Sequence, residues 1–233
     1  MALSDRAHYG AALDLLHRSV ARADRCGRRR QAAWSLSLIG RIHILRDELA
    51  LAVPVLDESL ALVAAERWSA FRPWPEALRA EVALRQGQHA EAAEGHDRSF
   101  RLACRLEDPC WEAMSVRLAG LVALASGEVD AAAAHFADAA VRATRVSDAY
   151  AWVHGHVLDS AAALAVRVGA DDADALVDAL AALAERCGLR ELVVRAHVHR
   201  AALGDDASMA AAQLLAADID NAALARLMPP VAA

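Results

Sequence analysis

Histidine is the residue type here with the most obvious capacity for chemistry, since ten are present in 233 residues. Two His-x-His pairs, His154 with His156 and His197 with His199, raise the question of a metal site. Both pairs fall inside predicted helices, where residues two apart point about 200° away from each other and cannot bind one ion together. We therefore expect no metal site. The histidines are predicted to lie on the surface and in a groove, where they would give binding a pH dependence.

Adjacent carboxylates are the second candidate for chemistry, at Glu107-Asp108 and Asp171-Asp172. Each pair stands at the predicted start of a helix, where acidic side chains accept hydrogen bonds from free N–H groups and complement the helix dipole. Capping therefore accounts for both pairs. A Gly-rich phosphate loop ending in Lys is excluded because the chain contains no Lys. The sequence predicts no catalytic residues, no cofactor and no enzymatic activity.

Cysteine usage and the N-terminus predict a cytoplasmic protein. The four cysteines form no Cys-x-x-Cys motif, which is typical of reduced thiols in the cytosol: Cys26, Cys104, Cys110 and Cys187. The segment Met1–Arg6 lacks the charged and apolar pattern of a signal peptide. No apolar run approaches the roughly 18 residues of a membrane span, so we expect no membrane contact.

The charge distribution argues against direct nucleic-acid binding, which requires a basic face. The formal net charge is −6, with residues 1–117 at +1 and residues 118–233 at −7. The one concentrated basic stretch lies between Arg25 and Arg30. It is interpreted as a solvated turn between helices, and an acidic partner is the alternative.

Composition predicts an all-α fold. Sixty residues are Ala, all 25 basic residues are Arg, and aromatic residues make up 4% of the chain. Ala, Leu, Arg and Glu favour helices, whereas the β-branched and aromatic residues that favour strands are scarce apart from Val. An all-β or Rossmann-type domain is nearly excluded.

The sequence repeats with a period of 40 residues. Alanines lie at positions 12, 52, 92 and 132, and the residues 4, 7, 8 and 11 positions after each form further columns, mostly small or apolar. Steps of 4, 3, 1 and 3 place these columns on one helical face. Asp47, Gly87 and Gly127 mark the turn before each such helix, and Gly169 and Gly204 continue that series. Each helix pair has too little core to stand alone and must stack on the next.

The resulting prediction is a string of antiparallel helices in a single domain over residues 1–233. The helices are predicted over residues 9–26, 31–46, 50–67, 74–86, 89–106, 110–126, 129–146, 149–168, 171–187, 190–203, 207–217 and 221–228. The opposite turns are predicted at Cys26-Gly27, Trp68-Ser69, Glu107-Asp108, Ser147-Asp148 and Cys187-Gly188. The repeat units span about 9–47, 48–87, 88–127, 128–169 and 170–204, with capping helices over 205–233.

The columns resemble the tetratricopeptide repeat, in which a large residue, Leu-Gly, an aromatic residue, a turn Gly and Ala-x3-Phe follow in order. One copy reads Leu36-x2-Ile39-Gly40-x2-His43-x3-Asp47-x4-Ala52-x3-Leu56. Another reads Val116-x2-Ala119-Gly120-x2-Ala123-x3-Gly127-x4-Ala132-x3-Phe136. The resemblance implies a right-handed α-solenoid of about five antiparallel helix pairs, whose first helices line a concave groove.

The period of 40 is longer than the usual 34 of this family. It is similar to the longer repeats in the C-terminal parts of large bacterial transcriptional regulators, the MalT-like and LuxR-type ATP-binding activators. The phosphate loop of those regulators is missing here, so we expect a fragment or a stand-alone relative.

The resemblance also implies which residues face the groove. These are Trp34, Arg41, Trp74, Glu81, Trp111, Met114, Arg117, Leu121, Trp152, His156 and Asp159. Four of the five tryptophans thus share one column, and Trp is favoured at binding sites because it offers a large rigid surface and one donor. The alternative is that these four indoles pack between neighbouring helix pairs. Trp68 is predicted to pack locally in a turn.

The sequence therefore predicts a non-catalytic binding or sensor module in bacterial transcriptional regulation. It would capture a peptide, a partner protein or a small amphipathic effector in its groove. The alternative is a helical-repeat enzyme, or a protein that sequesters a small molecule, using the same groove. A third possibility is a homo-oligomer formed through the terminal repeats, because an uncapped terminal helix pair can stack on a second copy.

Overall fold

The structure, a computed structural model, describes residues 1–145 and 150–228, and over these residues it contains helices and no strand. The helices are α1 Ala2–Asp5, α2 Tyr9–Arg25, α3 Arg29–Leu45, α4 Leu49–Ala65, α5 Pro73–Arg85, α6 His89–Leu106, α7 Pro109–Ala125, α8 Val129–Ala143, α9 Ala151–Val168, α10 Ala173–Cys187, α11 Arg190–Ala202 and α12 Asp206–Ala216. A 3₁₀ helix, Ala222–Leu227, follows.

The predicted all-α fold is confirmed, and most helix ends lie within two residues of their predicted positions. Helix α8 ends three residues early, at Ala143, and the predicted turn at Ser147-Asp148 lies outside the described residues. The last predicted helix is of the 3₁₀ type, and the one-turn helix α1 was not predicted. No helix in the described ranges is long and apolar enough to span a membrane.

The helices form two layers, with α3, α5, α7, α9 and α11 inside and α2, α4, α6, α8, α10 and α12 outside. The outer helices bury one stripe each, as α4 does through Ala52, Leu56, Ser59 and Val63. The inner helices α3, α5, α7 and α9 bury most of their residues, and every residue of α3 from 35 to 45 is buried, whereas α11 is mostly half-buried. This difference arises because an inner helix contacts its outer partner and also the inner helices beside it.

Glycine permits close approach within the pairs α3–α4 and α7–α8. A Cβ atom on Gly40 would lie 2.6 Å from the Leu56 side chain, and one on Gly120 would lie 2.4 Å from the Phe136 ring. Serine hydroxyls bond across neighbouring helices as well, with 2.8 Å between the Oγ atoms of Ser37 and Ser59. The Gly and Leu or Phe positions of the repeat pattern thus correspond to one contact between inner and outer helix.

We expect Gly120→Ala to lower the free energy of unfolding by about 1–3 kcal/mol, because the added methyl group overpacks the contact with Phe136. Gly10→Ala is the matched control, since a Cβ there would meet only the Asp220 carboxylate at 3.3 Å. Urea unfolding followed by circular dichroism measures both. Equal stability of the two variants would show that the α7–α8 contact is looser than described.

The N-terminal helices contact the C-terminal part of the solenoid. The Tyr9 hydroxyl donates to Glu191 on α11, and Arg41 on α3 donates to the Tyr150 hydroxyl just before α9, at 2.7 Å. The Asn221 amide donates to the Leu45 carbonyl at 3.1 Å. The groove between the inner helices is consequently narrow.

The turn residue after α1 continues the repeat. Ala7, Asp47, Gly87 and Gly127 are 40 residues apart and all have positive φ, between 59° and 80°. Helix α1 therefore corresponds in register to the last turn of an inner helix. It is only one turn long, and groups near α9 and on α11 contact the residues on either side of its end: the Tyr150 hydroxyl donates to Asp5, and Glu191 accepts from the Tyr9 hydroxyl.

Candidate functional site

Seven of the eleven residues predicted to face the groove line one small cavity, and most of the eleven are buried. Arg41, Glu81, Arg117, His156 and Asp159 lie around a cavity of about 30 Å³ and are each at most 8% exposed. Met114 and Trp152 line the same cavity. We call the charged groups here, together with Arg85, Arg195, Glu191 and Asp5, the axial network.

Arg41 joins the first inner helix to the N-terminal turn and to α9. Its guanidinium donates to the Asp5 carboxylate at 2.7 Å and to the Ser4 hydroxyl at 2.6 Å. The guanidinium carbon also lies 4.4 Å from the centre of the Trp152 ring, in cation–π contact. The Arg41 guanidinium thus contacts three groups of this chain: the Asp5 carboxylate, the Ser4 hydroxyl and the Trp152 ring.

Glu81 lies between two arginines. Arg117 donates to it at 3.0 Å and Arg85 at 3.2 Å. Burial opposes ionisation of this carboxyl, but Arg117 and Arg85 outweigh it and lower its pKa to about 2. Arg117 donates further to the Ser160 hydroxyl at 2.8 Å and to the His156 carbonyl at 3.1 Å, which ties α5, α7 and α9 together.

Asp159 on α9 is a second buried acid that, like Glu81 on α5, pairs with an arginine. Arg195 donates to it at 3.3 Å, and His199 Nε2 lies 2.9 Å from its other oxygen. Burial opposes ionisation here too, yet Arg195 and the hydrogen bond with His199 hold its pKa well below the ordinary value. Arg195 also donates to Glu191 at 2.8 Å.

His156, one of the residues predicted to face the groove, lies inside the axial network. Burial, followed by the charge of Arg117, lowers its pKa to about 3. Its ring lies 4.3 Å from that of Trp152. His156 is therefore held neutral at physiological pH.

Charges in the axial network balance. Four carboxylates face four guanidinium groups: Asp5, Glu81, Asp159 and Glu191 with Arg41, Arg85, Arg117 and Arg195. Buried charges are tolerated when they are paired and hydrogen-bonded, and these are.

Three of the four tryptophans in the predicted column pack on one another. Trp74 is 2% exposed; it stacks on Trp111 at 5.0 Å and meets Trp34 edge to face at 5.5 Å. Trp34 and Trp111 are half-buried. Trp152 lies apart, against Tyr150 and His156. This geometry favours inter-helix packing for Trp34, Trp74 and Trp111.

Trp68 stacks on Phe71 at 4.4 Å, which confirms the local packing predicted for it.

The capping interpretation of the adjacent carboxylates holds for one pair. Asp108 accepts hydrogen bonds from the backbone N–H groups of Cys110 and Trp111 at the start of α7. Asp172 precedes α10, but its side chain caps no N–H group, so the prediction was wrong there. Within the described ranges no group of three His, Cys, Asp or Glu side chains is placed to hold a metal ion.

A larger cavity adjoins the axial network, at the C-terminal ends of α5, α7 and α9. We call it the vestibule. Its volume is about 410 Å³, and its lining is Glu81, Leu84, Arg85, Arg117, Leu121, Leu124, Asp159, Ser160, Ala163, Leu164, Arg167 and Arg195. The lining combines half-buried leucines with charged side chains. A cavity of this size and mixed character is typical of a ligand site.

Four of the predicted residues line the vestibule: Glu81, Arg117, Leu121 and Asp159. Sequence reasoning missed Arg85, Arg167 and Arg195. Arg85 could have been found, because it lies four residues after Glu81 on the same helical face. Arg195 could not, since the repeat has drifted by α11 and no column extends to it.

No protein-family model matches this sequence, and no curated protein matches it. Solved structures do match the fold. The crystal structure of Rap protein complexed with Competence and Sporulation Factor has a TM-score of 0.73 at 14% identity, over 91% of this chain and 64% of the Rap chain. BtubC (BKLC) from P. vanneervenii has a TM-score of 0.60 at 15% identity, over 90% of this chain and 91% of that one.

At these identities the similarity shows a shared fold alone. Together with the helix arrangement, it confirms a tetratricopeptide-like helical solenoid. This chain spans 64% of the length of the Rap chain.

Proposed function

We propose that this chain is a non-catalytic binding module that holds a segment of a peptide or partner protein in the vestibule. The observation that carries the proposal is the vestibule itself, an open cavity of about 410 Å³ at the ends of three inner helices. Its leucines offer apolar contact, and its arginines and carboxylates can fix the orientation of a bound chain.

The similarity to Rap supports a peptide or protein as the partner, because that protein was crystallised in a complex with Competence and Sporulation Factor. The ionised acids of the lining support binding rather than catalysis. Glu81, with a pKa of about 2, is poorly suited to exchanging protons near neutral pH.

We place this binding in bacterial transcriptional regulation. The support is the 40-residue period, which resembles the repeats of the MalT-like regulators. In such a role, the occupancy of the vestibule would be the signal that a regulator senses.

A small amphipathic molecule is the second candidate ligand. The observation in its favour is the narrow groove, since Arg41 and Tyr150 meet across it and leave the vestibule as a compact cavity. Sequestration of such a molecule would use the same lining residues.

Ala163→Trp tests the site. Ala163 is exposed and lines the vestibule, so an indole there should fill the cavity without disturbing the core. We expect peptides selected from a random displayed library on the wild-type protein to lose at least about tenfold in affinity, a difference of about 1.4 kcal/mol. Isothermal titration with the resynthesised peptides measures this.

Ala134→Trp is the control, because Ala134 is exposed on the outer helix α8. Equal binding to both variants would place the peptide elsewhere. If library selection yields no peptide while small amphipathic compounds bind and are displaced in Ala163→Trp, the second candidate is correct.

A further inference from the structure

We propose that the vestibule recognises a carboxylate group flanked by aliphatic side chains, an inference that rests on the function proposed above and names its ligand class. The ligand would be a peptide segment with an acidic residue or a free C-terminus beside leucine-like side chains. The inference follows from the distribution of charge and apolar surface in the lining.

The first step is a local shortage of negative charge beside Glu81, within a network whose charges balance as a whole. Arg85 and Arg117 share this single carboxylate. The Nε–H of Arg117 donates to neutral groups, the Ser160 hydroxyl and the His156 carbonyl, and Arg85 also donates to the Ile44 carbonyl. Asp47 is 3.9 Å from Arg85, but it also forms an ion pair with Arg226. One positive charge on this wall is thus left without a dedicated partner.

The second step is Arg167. It lies in the last turn of α9 and is exposed, and its side chain makes no hydrogen bond or ion pair with any residue that the structure describes. The fourth arginine of the lining, Arg195, is matched by both Asp159 and Glu191. The positive charge without a carboxylate of its own therefore lies among Arg85, Arg117 and Arg167, on three successive inner helices, since Arg85 and Arg117 share Glu81.

Helix dipoles account for only part of this arrangement. Arg85 and Arg167 stand in last turns, where a basic residue complements the negative end of a helix. Arg117 is in the middle of α7, so the dipole gives no reason for its charge. An anion between these guanidinium groups would accept the charge-assisted hydrogen bonds that guanidinium forms with carboxylate.

The third step is the apolar half of the lining. Leu84, Leu121 and Leu124 are half-buried in the same cavity as the arginines. A free inorganic anion would leave these leucines facing water. A carboxylate attached to aliphatic groups would contact both parts of the lining, which is why we assign the ligand to that class.

The test is an NMR titration of the full chain with Ac-Leu-Asp-Leu-NH₂ and its isosteric neutral counterpart Ac-Leu-Asn-Leu-NH₂. We expect the acidic peptide to bind about tenfold more tightly, with the difference shrinking as salt is added. Comparing the affinities of Ac-Leu-Leu-OH and its C-terminal amide shows whether a terminal carboxylate is bound as well as an aspartate side chain. Inorganic phosphate alone is expected to bind more weakly than the acidic peptide.

Arg167→Gln should remove most of this preference, weakening the acidic peptide about five- to tenfold and leaving the neutral peptide unchanged. Arg22→Gln is the matched control, because Arg22 is likewise exposed in a last turn and its side chain makes no hydrogen bond or ion pair with any residue that the structure describes. Since both side chains are exposed, neither variant should alter the fold.

Equal affinity for the acidic and neutral peptides, or an unchanged preference in Arg167→Gln, would overturn the inference while leaving the vestibule as a peptide site. Binding of inorganic phosphate as tight as that of the acidic peptide would overturn the aliphatic requirement. If none of the four peptides binds, the inference is wrong for this ligand class, whereas library selection with Ala163→Trp still decides the proposed function separately.

Discussion

Replacing Glu81 with Leu is expected to lower the free energy of unfolding by about 3–5 kcal/mol, the usual cost of removing one partner from a buried ion pair. The side chains of Glu81 and Arg117 are 7% and 8% exposed, so Arg117 would be left buried and without its carboxylate. The loss should appear as a lower urea midpoint with little change in slope.

A double-mutant cycle separates the ion pair from simple packing. Glu81→Leu combined with Arg117→Met removes both charges, and the double variant should recover much of the stability lost by the single one. Glu58→Leu is the matched control, since Glu58 is exposed on the outer helix α4, and it should change stability by less than about 0.5 kcal/mol. A cost for Glu81→Leu as small as that of the control would mean that the axial network does not hold the inner helices together.

The stability of the protein is expected to fall as the pH drops below about 6.5, and His156 is a principal cause. Its pKa is about 3 in the folded state against 6.5 for an unperturbed histidine. Below pH 6.5 the unfolded chain therefore binds a proton that the folded chain excludes. Each pH unit costs about 1.4 kcal/mol for this one group, or roughly 2–3 kcal/mol between pH 6.5 and 4.5.

Other groups act in the same direction. Burial also lowers the pKa of His96 and of His154, so they add to the slope in this window. Glu81 and Asp159 have lowered pKa values, and the stability that they contribute above about pH 4.5 is lost as the pH falls further. In His156→Gln, the free energy of unfolding should fall less between pH 6.5 and 4.5, and the difference from wild type should equal the contribution of His156. Parallel curves for wild type and variant, from urea unfolding at several pH values, would show that His156 is accessible to protons in the folded state.

The repeat columns made most of the fold predictable. Small residues at a 40-residue spacing located the outer helices, and the structure places Gly40 and Gly120 of the same repeat pattern against Leu56 and Phe136. These features are local, because each depends on residues within one or two helices. The one-turn helix α1 was missed because four residues are too few to show a helical period.

The contacts between the N-terminal helices and the C-terminal part of the solenoid were not predictable. The contacts of Tyr9 with Glu191 and of Arg41 with Tyr150 join residues 182 and 109 positions apart. They depend on the pitch of the superhelix, which a repeat period does not encode. The same limit applies to Trp34, Trp74 and Trp111. Their shared column was evident, but whether the rings face a groove or each other depends on how closely successive inner helices pack.

Hydrogen–deuterium exchange with a library-selected peptide tests most directly whether the vestibule is the ligand site. Much of the vestibule lining lies in the C-terminal halves of α5, α7 and α9, so peptide binding should slow amide exchange around Leu84, Leu121 to Leu124, and Ala163 to Arg167. The slowing should be absent in Ala163→Trp. Slower exchange confined to α8 or other outer helices, with the vestibule unaffected, would contradict the account.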